Sequence, residues 1–491
     1  MKKDEQAPSL VNLVVFDEIE KEMIEEAQAN GLTLHMYSNV LLEGEKVEDS
    51  EFPSVETQPN DNYCFSYTSG TTGDSKGVKL THRMIIHAAE GMCNLIPLEE
   101  EETLISYLPY PHSFEQALTC LNIIKRNKIG YYQGDPLKLT EDAQVLKPTL
   151  FPSVPRLYNK IYSKINGTMS AATGCKKFLI TKALAAKTAA SQRAVYTSGC
   201  WDKIVFKKIS AVLGGRVKYM ITGSAPIDPA VIQFLKIAFC VPVLEGYGLT
   251  ESAAGSVITY PHDPNSGHVG GPIPTMRLRL KDVPDMNYLS TDEPYPRGEV
   301  CLKGPTIFKG YYKREDKTAE CFDQSGWFCT GDVGMIYPNG TLKIIDRSKN
   351  IFKLSQGEYI APEKMENIFV LSKYVEQSFV YGDSLRHCIV AIIITSEVEA
   401  KAFAKENGID EEKWQSVLEN ADYKKLVLDD MIRLAAQNNC SSLEKPKAIH
   451  ISEEPFTIEN EILTPTFKLK RHQAKEAFAN AIDAMYAEIG Q

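Results

Sequence analysis

The stretch Tyr67-Thr-Ser-Gly-Thr-Thr-Gly-Asp-Ser-Lys-Gly77 holds three glycines, five serine and threonine hydroxyls and one lysine. Hydroxyl donors (Thr68, Ser69, Thr71, Thr72), glycines that let the backbone approach closely (Gly70, Gly73) and the amine of Lys76 are the groups that hold phosphate. Lys76 stands before Gly77 rather than after a glycine, so this is not a Walker A loop. A second set is Glu245-Gly-Tyr-Gly-Leu-Thr-Glu251. Tyr247 between Gly246 and Gly248 can stack on a base, Thr250 can donate to a phosphate, and Glu251 offers hard oxygens suited to Mg2+. Asp332, closing Gly326-Trp-Phe-Cys-Thr-Gly-Asp332, can accept from both hydroxyls of a ribose. His112 lies in a Pro-rich aromatic turn, and Lys468 in the basic run Leu463-Thr-Pro-Thr-Phe-Lys468-Leu-Lys-Arg471. Each has a plainer alternative: a solvated loop, a bulged turn, a structural histidine, a surface charge cluster. Arg156 receives no chemical role.

The elements that must position these groups are legible from periodicity. Tyr63 to Tyr67 reads as a short buried strand, and Thr81 as the cap of the helix that follows, a strand–loop–helix unit whose helix N-terminus faces the anion. Upstream, Leu10 to Phe16 reads as a buried parallel strand, Glu18 to Asn30 as a helix ended by Gly31, and Leu32 to Tyr37 as a second strand. Glu43 to Asp61 reads as a connection. This alternation predicts an α/β fold, parallel sheets wrapped by helices. Val217 to Thr222 enters the small-residue turn Gly223-Ser224-Ala225-Pro226, which can admit a flat ring. Lys176 to Arg193 reads as an exposed helix or hairpin. Residues 298–347 read as a small β unit with a hairpin turn at Pro338-Asn-Gly340. The pattern then returns to βαβ, which predicts a large domain over 1–346 and a smaller α+β domain over 347–491. In the latter, Glu363 to Val370 reads as a helix, Phe379 to Gly382 and Ile389 to Ile394 as strands, Glu411 to Cys440 as helical, and a final helix follows Arg471.

A chain of 491 residues exceeds one ordinary core, and its formal charge of -10 without a basic stripe argues against nucleic acid. Eleven cysteines without a Cys-x-x-Cys pair suggest reduced thiols in a cytoplasmic setting. The opening Met-Lys-Lys-Asp-Glu-Gln lacks the apolar core of a signal peptide, and no apolar run approaches the ~18 residues that span a bilayer.

From about residue 10 to the end, the chain resembles the adenylate-forming enzymes, and in particular the long-chain fatty acyl-CoA synthetases. The blocks that carry the resemblance are Gly-Asp-Ser-Lys-Gly in the loop, Phe-Pro-Ser-Val-Pro-Arg156, Glu-Gly-Tyr-Gly-Leu-Thr-Glu-Ser252, the run from Ile344 to Lys364, and Leu-Thr-Pro-Thr-Phe-Lys468-Leu-Lys-Arg. What the resemblance implies is fatty acid activation with ATP to acyl-AMP and pyrophosphate, then acyl transfer to coenzyme A. It implies that Thr68, Ser69, Gly70, Thr71, Thr72, Gly73 and Lys76 hold the pyrophosphate end, and that Thr68 and Glu251 serve Mg2+. Gly223, Ser224, Ala225, Gly246, Tyr247 and Gly248 enclose the adenine, Thr250 meets the α-phosphate, and Asp332 and Arg347 hold the ribose. His112 lies between the acyl carboxylate and the phosphate loop. Lys468 reaches the α-phosphate in the first step; Lys349 is a hinge, about which a mobile C-terminal lid swings so that the face from Lys353 to Gly357 replaces Lys468 for thioester formation. Phe467 stands where the wider family has glycine. The family carries a further region ahead of the segment that here begins at Met1, so an N-terminally shortened fold is expected, with a non-catalytic nucleotide- or acyl-CoA-binding protein as the alternative. Peripheral attachment to the cytosolic face of the endoplasmic reticulum or another membrane, and a homodimer, stay open.

Overall fold

The structure, a computed structural model, describes residues 9–48, 50, 52, 54–68 and 75–490, which divide between residues 58 and 59 into two compact units. In the first unit, strands Asn12–Val15 and Thr33–Met36 pair in parallel across the helix Lys21–Ala29. The parallel pairing agrees with the sequence; the expected burial does not. Val11, Leu13, Val14 and Phe16 are 51%, 36%, 49% and 78% exposed. A two-stranded ribbon with one crossover helix cannot cover both of its faces. A short helix, Tyr37–Gly44, follows the second strand and ends two residues into the expected connection.

The second unit is built on a sheet that has seven strands among the described residues. In spatial order they are Gly271–Pro272, Val257–Ile258, Val243–Tyr247, Tyr219–Thr222, Leu150–Ser153, Thr103–Ser106 and Lys128–Tyr131. The last five run parallel. Neighbouring residues on these strands feed opposite cores. Leu104, Leu150, Ile221 and Leu244 pack with the helices His82–Cys93 and Ser113–Ile124; Ile105, Phe151, Met220 and Val243 pack with Pro155–Ser170 and Pro229–Phe239. Burial on both faces is why these strands are apolar at consecutive positions. The stretch expected as an exposed helix or hairpin is one helix, Gly174–Ser191, burying Ala183, Lys187 and Ser191.

The phosphate-type loop does not join a strand to a helix. It joins two antiparallel strands, Asn62–Thr68 and Lys76–Thr81, which pair with Thr68 opposite Lys76. Thr81 does cap His82–Cys93, its Oγ1 accepting from Met84 N at 3.3 Å. That helix N-terminus lies roughly 17 Å of strand away from Lys76, so its dipole does not face the loop. The alternation of buried Val78 and Leu80 with half-exposed Lys79 is the strand period, which takes the place of a direct helix start.

A four-stranded antiparallel sheet follows, in the order Arg277–Lys281, Arg297–Lys303, Phe328–Ile336 and Leu342–Arg347. Its last turn is the expected Pro338-Asn-Gly340 hairpin, with Tyr337 N donating to Thr341 O at 2.9 Å and Gly340 at φ +82°. Beyond it, Val375–Tyr381 pairs antiparallel with Val390–Thr395, which pairs in parallel with Ile449–Ile451. Met365, Phe369, Val427 and Met431 fill one face of that sheet, and Phe379, Phe456, Ile482 and Tyr486 the other. The stretch Glu411 to Cys440 is broken at Asn420, whose side chain accepts from Asp422 N and Tyr423 N and caps the helix Ala421–Gln437. The final helix is likewise two, Arg471–Ala477 and Ala479–Glu488.

Candidate functional site

Strands Tyr219–Thr222 and Val243–Tyr247 run side by side with Thr222 opposite Glu245, so the turns that follow them leave the same edge of the sheet. The carboxyl ends of parallel strands are where open α/β sheets bind ligands. Gly223, Ser224 and Ala225 from the first turn and Gly246, Tyr247 and Gly248 from the second line a cleft of about 2120 Å³. Glycine is required at 248, and space at 223 is tight. A Cβ on Gly248 would fall 2.0 Å from Ala254 O, and one on Gly223 would fall 3.3 Å from Gly246 O.

Asp332, 4% exposed, sits at one side of this cleft. Tyr247 Oη donates to its Oδ2 at 2.7 Å, and Arg347 Nε lies 3.5 Å from its Oδ1. Burial pushes the Asp332 carboxyl up, while Arg347 and the tyrosine hydroxyl pull it back. The same tyrosine expected to meet a base thus also orients the carboxylate expected to meet a ribose. Arg347 is the strand partner of Asp332, so the pairing of Phe328–Ile336 with Leu342–Arg347 places both.

Across the glycine-rich hairpin, Thr68 Oγ1 donates to Lys76 O at 3.5 Å. Lys76 Nζ lies 5.3 Å above the Tyr311 ring, and Tyr311 Oη donates to Glu251 Oε1 at 2.7 Å. Burial and Glu251 together hold the Tyr311 hydroxyl protonated. Thr250 opens the short 3₁₀ turn Thr250–Ser252 that carries Glu251. Ser69, Gly70, Thr71, Thr72 and Gly73 lie outside the described residues.

Lys468 enters from the chain's far end. Its turn is closed by Phe467 N to Thr464 O (2.8 Å), Thr464 N to Lys468 O (2.8 Å) and Lys468 N to Thr464 Oγ1 (3.0 Å). The amine is pulled down to about 8, first by burial and then by Arg347, against the carboxylates of Glu363, Asp332 and Glu251. Its charge in turn reaches His112, whose imidazole is held down to about 4, chiefly by burial. His112 caps Ser113–Ile124, with Nδ1 accepting from Phe114 N at 3.3 Å. The neutral ring therefore carries its hydrogen on Nε2.

Lys353 does not line the cleft, and Lys349 reaches only its rim. Lys353 is exposed on the hairpin Phe352–Lys353/Tyr359–Ile360, its amine 5.2 Å over the Tyr359 ring. Lys349 is exposed on the rim of the cleft, in the turn after Arg347. Three residues were missed. Tyr311 is sixty positions from the carboxylate it holds, a distance no spacing rule spans. Glu363 faces Lys468 and accepts from Asn350 Nδ2 at 2.8 Å. Arg156 lies on the first turn of Pro155–Ser170, where Pro155 at the first helical position signals the helix start but not the direction of the arginine.

A parallel sheet with a glycine-lined turn edge, a small antiparallel sheet carrying a buried carboxylate held by a tyrosine and an arginine, and a distant lysine on the same cleft are the features of the adenylate-forming class. Residues 2–312 match the family model described as AMP-binding enzyme. The chain is 43% identical to long chain acyl-CoA synthetase 6, peroxisomal, of Arabidopsis thaliana, over 98% of this chain and 68% of the relative. It is 40% identical to human long-chain-fatty-acid–CoA ligase 1, again over 98% and 68%. The crystal structure of the adenylation domain of a carboxylate reductase from Mycobacterium chelonae superposes with a TM-score of 0.80 at 26% identity, covering 98% of this chain and 70% of that one. The corresponding domain from Segniliparus rugosus, in complex with AMP and a co-purified carboxylic acid, gives 0.78 at 26% identity, over 98% and 72%. The chain belongs to the AMP-binding enzyme family, among its long-chain acyl-CoA synthetases. Among the described residues no helix is long and apolar enough to cross a membrane.

Proposed function

We infer that this chain is an AMP-forming, ATP-dependent long-chain fatty acid:CoA ligase. The fatty carboxylate attacks the α-phosphate of ATP, giving acyl-AMP and pyrophosphate; the thiol of coenzyme A then attacks the acyl carbonyl and releases AMP. The observation that carries this reading is the gathering on one cleft of Tyr247, Asp332, Arg347 and Lys468, which together span more than 200 positions of the chain. In it, Gly223, Ser224, Ala225 and Gly246 to Gly248 flank the adenine, and Asp332 and Arg347 take the ribose. Thr68, Ser69 to Gly73, Lys76 and Thr250 take the phosphates. Lys468 stabilises the charge that builds on the five-coordinate α-phosphorus, a role suited to a fixed cation in a dry site. His112, neutral and protonated at Nε2, donates to the carboxylate without competing as a second cation.

Glu251 and Thr68 fit Mg2+ in kind: both offer hard oxygens, and Tyr311 fixes the carboxylate while leaving Oε2 for an ion. When bound, the ion neutralises phosphate charge. The same reading divides the chain at 346/347, with Lys349 as the hinge and Lys353 brought inward for the thioester step. Eleven cysteines without a Cys-x-x-Cys pair support a reducing, cytoplasmic setting. Attachment to the cytosolic face of the endoplasmic reticulum or another membrane, and a homodimer, rest on the resemblance alone. Pyrophosphate release with ATP and fatty acids of rising chain length, with and without coenzyme A, tests the reading. Long-chain acids are expected to give pyrophosphate and, with coenzyme A, acyl-CoA. ATP binding without turnover of any acid by a folded chain overturns it.

A further inference from the structure

One face of the four-stranded antiparallel sheet carries a group the ligase reaction does not use. Glu299 and Cys301 are two residues apart on Arg297–Lys303 and so share a face, and Cys329 on Phe328–Ile336 is the direct strand partner of Cys301. The two Sγ atoms lie 3.7 Å apart, and one ligand atom from each of the three residues lies within 4.8 Å of the others. Two thiolates on one tetrahedral zinc, at ~2.3 Å each, stand ~3.8 Å apart, so the sulfurs already span one edge of such a site. We propose that Glu299, Cys301 and Cys329 form a binding site for a soft divalent cation of the zinc class, with a fourth position for water.

The surroundings support a cation at this place. Cys301 is fully buried and the Glu299 side chain is 19% exposed, so the donors are held rather than loose on the surface. Lys281, the strand partner of Glu299 on Arg277–Lys281, puts Nζ 3.7 Å from Glu299 Oε2 and 3.9 Å from Cys329 Sγ. Positive charge is thus already drawn to the gap between carboxylate and thiol. The Lys281 side chain is 51% exposed and can leave for solvent when a metal enters. Arg279, the strand partner of Cys301, adds a positive charge that favours the Cys301 thiolate, while its guanidinium is held by Asp323 and lies 4.7 Å over the Trp327 ring. Two neutral thiols give up one proton each to solvent on binding, and the carboxylate gives none, so the ion's two charges are replaced by two released protons.

The site also touches the nucleotide cleft. Glu299 Oε1 accepts from Gly331 N at 3.0 Å, and Gly331 immediately precedes Asp332. A metal held through Oε2 leaves that bond in place and stiffens the turn that presents Asp332. Its soft sulfur donors set it apart from Mg2+, which takes oxygen.

The test is a titration of the full reduced chain with Cd2+, reading the ultraviolet thiolate-to-metal charge-transfer absorbance. One tight equivalent with the intensity of two thiolates is expected. Cys329→Ser is expected to abolish the tight step, Glu299→Gln to weaken it by about tenfold, and Lys281→Met to strengthen it, because the competing ammonium is gone. Cys301→Ser repeats the first arm at the buried ligand, and thermal melts establish that each variant is folded. Undiminished tight uptake by Cys329→Ser, or weaker uptake by Lys281→Met, overturns the assignment. So does failure to bind Cd2+ while oxidised glutathione joins Cys301 to Cys329, which would make the pair a dithiol switch.

Discussion

The guanidinium of Arg156 stacks on the ring of Phe467, 5.1 Å from its centroid, one residue before Lys468. Phe467 holds φ at +59°, in the left-handed region where a side chain costs about 1–2 kcal/mol. A cation–π contact of about 1 kcal/mol helps to offset that strain and fixes the turn that aims Lys468. Arg156→Ala should therefore slow acyl-AMP formation about fivefold and leave thioester formation from supplied acyl-AMP unchanged. Phe467→Gly combined with Arg156→Ala should lose no more than Arg156→Ala alone, as a double-mutant cycle on single-turnover rates will show.

Lys468→Ala should lower the adenylation rate by about 10²–10³ and spare the second half-reaction. Burial pulls the Lys468 amine down to about 8, and in the proposed role only its charged form stabilises the phosphate. The kcat/KM for ATP should therefore fall as pH rises through about 8, and Lys468→Arg, which stays charged, should lose that alkaline fall.

Tyr247→Phe removes the hydrogen bond that orients Asp332 and nothing else of the ring. A loss of about 1–2 kcal/mol corresponds to roughly a five- to thirtyfold higher KM for ATP, with fatty acid KM unaffected. Isothermal titration with ATP reports the same change directly.

Glu115 is fully buried, with Oε1 accepting from Ser106 Oγ at 2.5 Å and Oε2 without a partner among the described residues. Burial raises its carboxyl from 4.5 to about 7. The folded chain thus keeps a proton up to about pH 7 that the unfolded chain releases near 4.5, so stability is lost as pH rises between the two. The penalty above pH 7 is about 3 kcal/mol. Glu115→Gln should raise the urea midpoint at pH 8 and leave it unchanged at pH 4.

The turn after Arg347 is closed by Ser348 N to Gly331 O, Asn350 N to Arg347 O and Ile351 N to Arg347 O. Lys349 contributes no donor to that set, so Lys349→Pro keeps these bonds while stiffening the chain at the proposed pivot. Adenylation should survive it and thioester formation should fall about tenfold or more. Equal loss in both half-reactions, measured separately, counts against Lys349 as the pivot.

Much of the frame is readable because it is local. Strands buried on both faces, such as Thr103–Ser106 and Leu150–Ser153, declare themselves as short apolar runs. Thr81, Gly31 and the Pro338-Asn-Gly340 turn mark boundaries through the hydrogen bonds and dihedrals of a few adjacent residues. The strand Lys76–Thr81 was misread because six residues hold only three repeats of its period, and the helix cap at its end gave the stronger signal. The exposure of Leu13 and Phe16 was misread because an apolar run reports what a strand wants to bury, not what lies beside it.

By itself, the order of residues determined which groups could do the chemistry: a hydroxyl-rich loop, Tyr247 between glycines, Asp332 after a Thr-Gly turn, Lys468 in a basic loop. Only the tertiary structure decided which of them meet. Tyr247 on Asp332, Tyr311 on Glu251, Arg156 on Phe467 and Cys301 on Cys329 are joined across 28 to more than 300 positions. Such contacts arise from sheet order and from how the turns leave its edge, and these are set by the packing of whole layers rather than by the residues next to each group.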